Sequence, residues 1–199
     1  NVLEYRIKIG GRLVGKGEIQ PSEYLAINPG NVHLQIEGRD TTDPAFGLAA
    51  KWVTEANRRS AEIAGFTVVD AATVLTTHLG ECLKRHADEL LSRGDMQEML
   101  DKLKEVSPTV VGEIKPEGLS ASVLHQVLIR LLKESVSISS LERIIESCSH
   151  HYRHAKTTAD LTEHVRGDIG ALIVEHFRDD TGRVCVVLLE PKVEHQFRQ

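Results

Sequence analysis

Asp43-Pro44-Ala45-Phe46-Gly47-Leu48 opens, and Gly65-Phe66-Thr67-Val68-Val69-Asp70-Ala71-Ala72-Thr73-Val74-Leu75-Thr76-Thr77-His78-Leu79 closes, the stretch that decides the fold. The first phrase reads as a turn. Asp at a turn start accepts backbone hydrogen bonds, Pro fixes the next φ, and Gly47 lets the backbone fold back so that Phe46 is presented. The second phrase reads as a short buried strand, Phe66 to Val69, running into a helix. Asp70 sits where an N-cap belongs, with its carboxylate able to accept the free N–H groups of the first turn. Behind it Val74, Leu75, Leu79, Cys82, Leu83, Ala87 and Leu90 make an apolar stripe, broken by Gly94.

Upstream the pattern is strand-rich. Leu3 to Ile9 alternates, Gly10-Gly11 turns, and Arg12 to Ile19 returns as a second strand, a good hairpin signal. Tyr24 to Ile27 is a short strand stopped by Asn28-Pro29-Gly30. Val32 to Ile36 alternates again, and Gly38 to Pro44 is polar and turn-like. Lys51-Trp52-Val53 lies in a further strand. Ala56 to Ala64 reads as a short helix closed by Gly65.

Downstream the character becomes helical. Asp95 can cap a helix that carries Met96, Met99, Leu100 and Leu103 on one face. Ser107-Pro108 starts a short helix. Ser120 to Glu134 is amphipathic, with Leu124, Val127, Leu128, Leu131 and Leu132 inward. Ser139 or Ser140 caps a helix burying Leu141, Ile144 and Ile145. Thr158 to Phe177 reads as one longer helix, Gly182 turns the chain, and Val184 to Leu189 reads as an apolar strand. The fold class expected is α+β with several subdomains, a strand-rich N-terminal part followed by a helical subdomain.

These phrases, in this order, resemble the cytoplasmic region of the FlhA, or FHIPEP, family of type III export-gate proteins. The Asp43 to Leu48 phrase, the Trp52 strand and the Gly65 to Leu79 phrase carry the likeness. Residues Val127 to Glu134 and Leu161 to Arg166 continue it, so that it spans roughly Tyr5 to Ile173. The chain departs from the family pattern at Val136 to Glu146, where serines replace a Pro, an Arg and an Asp. It departs again at Lys156 to Asp160, which is less charged than usual.

The resemblance implies a division into four parts. Residues 1–22 with 70–92 form a partial first subdomain. Residues 23–69 form a small inserted α/β subdomain, 93–175 a helical subdomain, and 176–199 the start of a truncated final one. It implies a fragment of a larger membrane protein, attached to the cytoplasmic face of the bacterial inner membrane through a missing N-terminal region. The implied function is a docking platform of the flagellar export gate, not an enzyme. Such a platform binds export chaperone–substrate complexes and other export-apparatus components, aids handover to the channel, and assembles into a nonameric ring. The injectisome branch of the family is the alternative. In the family Asp43, Phe46 and Thr77 line a hydrophobic dimple that receives the chaperones, and Pro44, Gly47 and Leu48 belong to the same phrase. Taken on their residues alone, these positions are also compatible with a structural turn that buries Phe46.

Composition sets outer bounds. The chain has 199 residues, 41% of them hydrophobic but only 4% aromatic, so Leu, Ile, Val and Ala must fill the core. The net charge of -5 argues against a nucleic-acid binder, which normally shows a basic face. No apolar run reaches the ~18 to 20 residues needed to cross a bilayer. Three widely spaced cysteines do not make a disulfide framework.

Two clusters could suggest metal chemistry. His78, Cys82 and His86 share a helix face, but positions i and i+8 lie about 12 Å apart, too far for one ion. Cys148, His150, His151 and His154 read as a polar helix end with histidines facing water. Neither is expected to hold a metal, and no cofactor is expected. Gly10-Gly11-Arg12 and Gly15-Lys16-Gly17 read as hairpin glycines and not as a phosphate loop. Glu89, Asp95 and Glu98 read as helix surface and cap. A small metal-dependent or acid–base enzyme built on the histidines is the alternative of another class.

Overall fold

A computed structural model describes residues 3–186 and 190. The chain divides into two compact units, residues 1–90 and 91–199.

The first unit opens with the hairpin. Strand β1 (Leu3–Ile9) pairs antiparallel with β2 (Arg12–Ile19), with a register shift between Ile7 and Lys8. A second sheet follows, made of β3 (Tyr24–Ile27), β4 (Arg39–Thr42), β5 (Ala49–Val53) and β6 (Thr67–Asp70), in the spatial order β4-β5-β3-β6. All its neighbouring pairs are antiparallel. Because β3 runs against both neighbours, β5 and β6 are parallel, and α1 (Glu55–Ile63) is the crossover between them. Side chains alternate across a strand, and the two faces divide accordingly. Ala26 and Val53 join Ala61 and Phe66 on the α1 side. Leu25, Ala50 and Trp52 join Ala71 and Val74 of α2 (Ala71–Arg85) on the other. A short α3 (Ala87–Leu90) ends the unit.

The second unit is helical: α4 (Arg93–Val106), α5 (Pro108–Val111), α6 (Ala121–Lys133), α7 (Leu141–His151), α8 (Thr158–Asp168) and α9 (Gly170–His176). Its core is aliphatic, as the scarcity of aromatics requires. Leu124, Val127, Leu128 and Leu131 of α6 meet Ile144, Ile145 and Cys148 of α7 and Leu161 and Val165 of α8, all 2% exposed or less. Cys82 and Cys148 are buried, one in each unit, and Cys185 is exposed.

Several expectations give way here. Val32 to Ile36 forms no strand. The Asn28 side chain donates to Val32 O at 2.8 Å and accepts from Gly30 N and Val32 N, closing a loop that occupies the groups a ladder would need. The strand lies instead in the polar segment Arg39–Thr42, which reads as a turn but forms the edge strand β4, where charge and polarity are tolerated. Gly94 does not break the helix, since it lies inside the first turn of α4. The helix begun at Asp70 breaks earlier, at His86, which ends α2 and leaves Ala87–Leu90 as the separate α3. At the start of α4, Ser92, not Asp95, is the N-cap. Ser92 Oγ accepts from Asp95 N while the Asp95 carboxylate accepts from Ser92 N, a capping box.

Thr158 to Phe177 is two helices, separated at the buried Ile169 between the weak helix formers Gly167 and Gly170. Ser140 occupies an N-cap position, but its hydroxyl makes no capping bond. Val184 bridges Arg178, and residues 187–189 of the expected terminal strand lie outside the described residues.

Candidate functional site

The Asp43 to Leu48 segment folds as a closed loop between β4 and β5. Asp43 is the closing residue: its N–H donates to Leu48 O at 2.8 Å, and its carbonyl accepts from Gly47 N at 2.9 Å. Its carboxylate accepts from Phe46 N at 2.8 Å. Gly47 adopts φ +73°, a left-handed conformation that glycine takes without the Cβ clash other residues meet. The result separates neighbours sharply. Asp43 is 3% exposed and Ala45 2%, whereas Phe46 is 58% exposed. Pro44 is half-buried and Leu48 exposed. Phe46 is therefore presented outward, and the competing core-filling reading fails.

Helix α2 stands beside this loop. Asp70 is its N-cap, accepting from Thr73 N at 2.7 Å. Its buried row is Ala71, Val74, His78 and Cys82, which keeps Val74 and Cys82 of the expected stripe and puts Ala71 and His78 where its leucines were expected. Leu79, Leu83 and Leu90 are exposed at their surfaces instead. The reason lies in the hairpin. A Cβ at Gly15 would stand 2.8 Å from Cys82 Sγ and 3.1 Å from the His78 ring, so the bare backbone of β2 lets α2 seat that row against it. The glycines of Gly15-Lys16-Gly17 serve packing within β2, not a turn.

His78 is a buried polar group with a partner from β1. Tyr5 Oη lies 2.7 Å from its Nδ1, and the two rings meet edge to face. Burial, then the nearby positive charge of Arg85, hold the imidazole below its ordinary value, while Asp43 opposes them. Burial, then Asp43, push the Tyr5 phenol up to about 12. Asp43 thus acts on both partners of the pair.

A direct link comes from the last turn of α2, where Arg85 Nη2 donates to Ala45 O at 2.7 Å. Thr77, Glu81 and Arg85 form one helical row at i, i+4 and i+8, spanning about 12 Å. Thr77 is half-buried on that row. Among the described residues no hydrogen bond or ion pair joins it to the loop, so the structure brings Asp43, Pro44, Phe46, Gly47 and Leu48 together and leaves Thr77 on the neighbouring element. Tyr5 and Arg85, and the pairing of His78 with Tyr5, escaped sequence reasoning because the partners lie 73 and 40 positions apart.

In the second unit His151 is not simply water-facing. Its ring stacks on His164 of α8 with centroids 4.7 Å apart, and its Nε2 lies 3.0 Å from Asp168 Oδ2. Ser147 Oγ donates to the same carboxylate at 2.6 Å. Among the described residues no three His, Cys, Asp or Glu side chains are placed to hold a metal ion, and no helix is long and apolar enough to cross a membrane.

Comparison with known proteins places this geometry. Residues 1–199 match the sequence model of the FHIPEP family. The chain is 40% identical over 191 residues to the flagellar biosynthesis protein FlhA of Bacillus subtilis, covering 96% of this chain and 28% of that protein. It therefore spans little more than a quarter of that relative's length. Its fold resembles the solved Chlamydia pneumoniae CdsV protein, with a TM-score of 0.79 and 27% identity over 98% of this chain and 56% of that one. It also resembles a nonameric SctV-C from EPEC, at a TM-score of 0.64 and 18% identity over 94% of this chain and 64% of that one.

Proposed function

We propose, from the premise that this chain belongs to the FHIPEP family, that it is a docking platform of a flagellar type III export gate. The platform receives export chaperone–substrate complexes at the Phe46 loop and aids their handover to the export channel. The observation that carries this reading is the exposed Phe46 on a loop closed by a buried carboxylate. An aromatic anchor displayed on a rigid support is the usual form of an interface hot spot. Thr77, on the adjacent helix row, is the polar group this reading assigns to orienting a partner.

The flagellar branch is favoured because the 40% identity to a flagellar relative exceeds the 27% to CdsV. The injectisome branch is the second reading, supported by the CdsV fold match. A ring of copies is part of the proposal, after the nonameric SctV-C assembly. So are contacts with other export-apparatus components and a position on the cytoplasmic face of the inner membrane. Membrane attachment falls to the part of such relatives that this chain does not span.

The test is isothermal titration of the chain with a flagellar filament chaperone bound to its cargo. Phe46→Ala is expected to weaken binding about thirtyfold, the size of a hot-spot residue, with thermal unfolding unchanged. Equal affinity in both proteins removes the Phe46 loop as the docking site. Binding of an injectisome chaperone in place of the flagellar one moves the chain to the other branch.

A further inference from the structure

The peptide unit between Ala45 and Phe46 is held at both of its polar ends. Its carbonyl oxygen accepts from Arg85 Nη2 at 2.7 Å, and its N–H donates to Asp43 Oδ2 at 2.8 Å. A peptide unit is planar, so fixing its oxygen and its N–H together fixes the whole plane. That plane sets ψ of Ala45 and φ of Phe46, and with them the direction in which the Phe46 side chain leaves the backbone. The two holds have separate origins. Asp43 belongs to the loop itself, whereas Arg85 reaches in from the last turn of α2. Without the second hold, a loop tip whose next residue is Gly47 at φ +73° has a soft joint on the far side of Phe46, and on the near side only the Asp43 bond to its N–H, which leaves the peptide plane free to tilt at its oxygen.

We propose that Arg85 is a positioning residue for docking at Phe46. With Asp43 it clamps the peptide before the ring and presents the ring in its binding orientation, without touching the partner itself. The proposal rests on the docking reading above. Its physical basis is preorganisation: an anchor already ordered in the free protein does not have to be ordered on binding. It also assigns Asp43 a second-hand part. At 3% exposure its carboxylate is turned to the Phe46 N–H and not toward a partner.

The experiment has two arms on the 199-residue chain. Amide exchange, followed residue by residue, is compared in the unsubstituted chain and Arg85→Met. Titration with a purified flagellar filament chaperone–cargo complex then compares Arg85→Met, Phe46→Ala and the double variant. Losing one charge-assisted hydrogen bond corresponds to about a tenfold change. Arg85→Met is therefore expected to speed exchange at Phe46 about tenfold, leave the Val74 and Leu128 amides unchanged, and weaken binding about tenfold. In the Phe46→Ala background it is expected to have no further effect, because a clamp without an anchor has nothing to position.

Unchanged exchange at Phe46 together with full affinity in Arg85→Met overturns the proposal while leaving the docking reading intact, provided Phe46→Ala still weakens binding. Additive losses in the double variant overturn it by making Arg85 a direct contact. Faster exchange across the whole first unit overturns it by making Arg85 a general support of the fold. No weakening in Phe46→Ala sinks the docking reading itself.

Discussion

At the scale of single residues, His78 is the most sensitive position in the first unit. Tyr5 faces it from β1, Gly15 from β2, and Asp43 and Arg85 act on it through their charges. Its folded value lies below the ordinary 6.5, so as pH falls below 6.5 the unfolded chain takes up a proton that the folded chain refuses. The contribution is fully present above 6.5 and is lost as pH falls through the depressed folded value. Thermal unfolding of the chain against His78→Gln, between about pH 7.5 and pH 5.5, checks this: the acid-side drop is expected to be smaller in the variant. Gly15→Ala addresses the same contact by volume. Its Cβ meets Cys82 Sγ at 2.8 Å, and the overpacking is expected to lower stability by about 1–3 kcal/mol in urea unfolding. The phrase around His78 was legible as strand-then-helix from Asp70 and the apolar spacing. The inward seating of His78 was not, since it depends on the missing side chain of Gly15 in a distant strand.

At the scale of elements, what is local was legible and what is shared was not. The hairpin over Leu3–Ile9 and Arg12–Ile19 follows from alternation and the Gly10-Gly11 turn. The edge strand Arg39–Thr42 has no apolar alternation to announce it, because its partner β5 supplies the burial. The start of α4 turns on a reciprocal pair, Ser92 and Asp95, of which only the acid suggested a cap. Ser92→Ala is expected to cost about 1 kcal/mol, read from the urea midpoint. The same distinction governs the docking loop: its turn chemistry is written in six consecutive residues, whereas its attachment to α2 through Arg85 is a property of the folded chain alone.

At the scale of the whole molecule, the display surface and the core are separable. Phe46 is exposed, so Phe46→Ala is expected to shift folding stability by no more than about 0.5 kcal/mol while weakening binding about thirtyfold. Leu128, fully buried between α6 and its neighbours, shows the reverse. Leu128→Ala is expected to lose roughly 2–5 kcal/mol, measured by calorimetry, while the Phe46 loop in the other unit keeps its local geometry.

The placement of the three cysteines gives this division a chemical clock. Cys185 is open to reagent; Cys82 is sealed in the first unit and Cys148 in the second, the latter with burial pushing its thiol up to about 12. A maleimide added to the native chain should count one sulfur. The mass of each further adduct, located by peptide mapping, then tells which half opened and when, so that two openings hidden beneath one optical melting curve can be timed separately on a chain that needs no substitution at all.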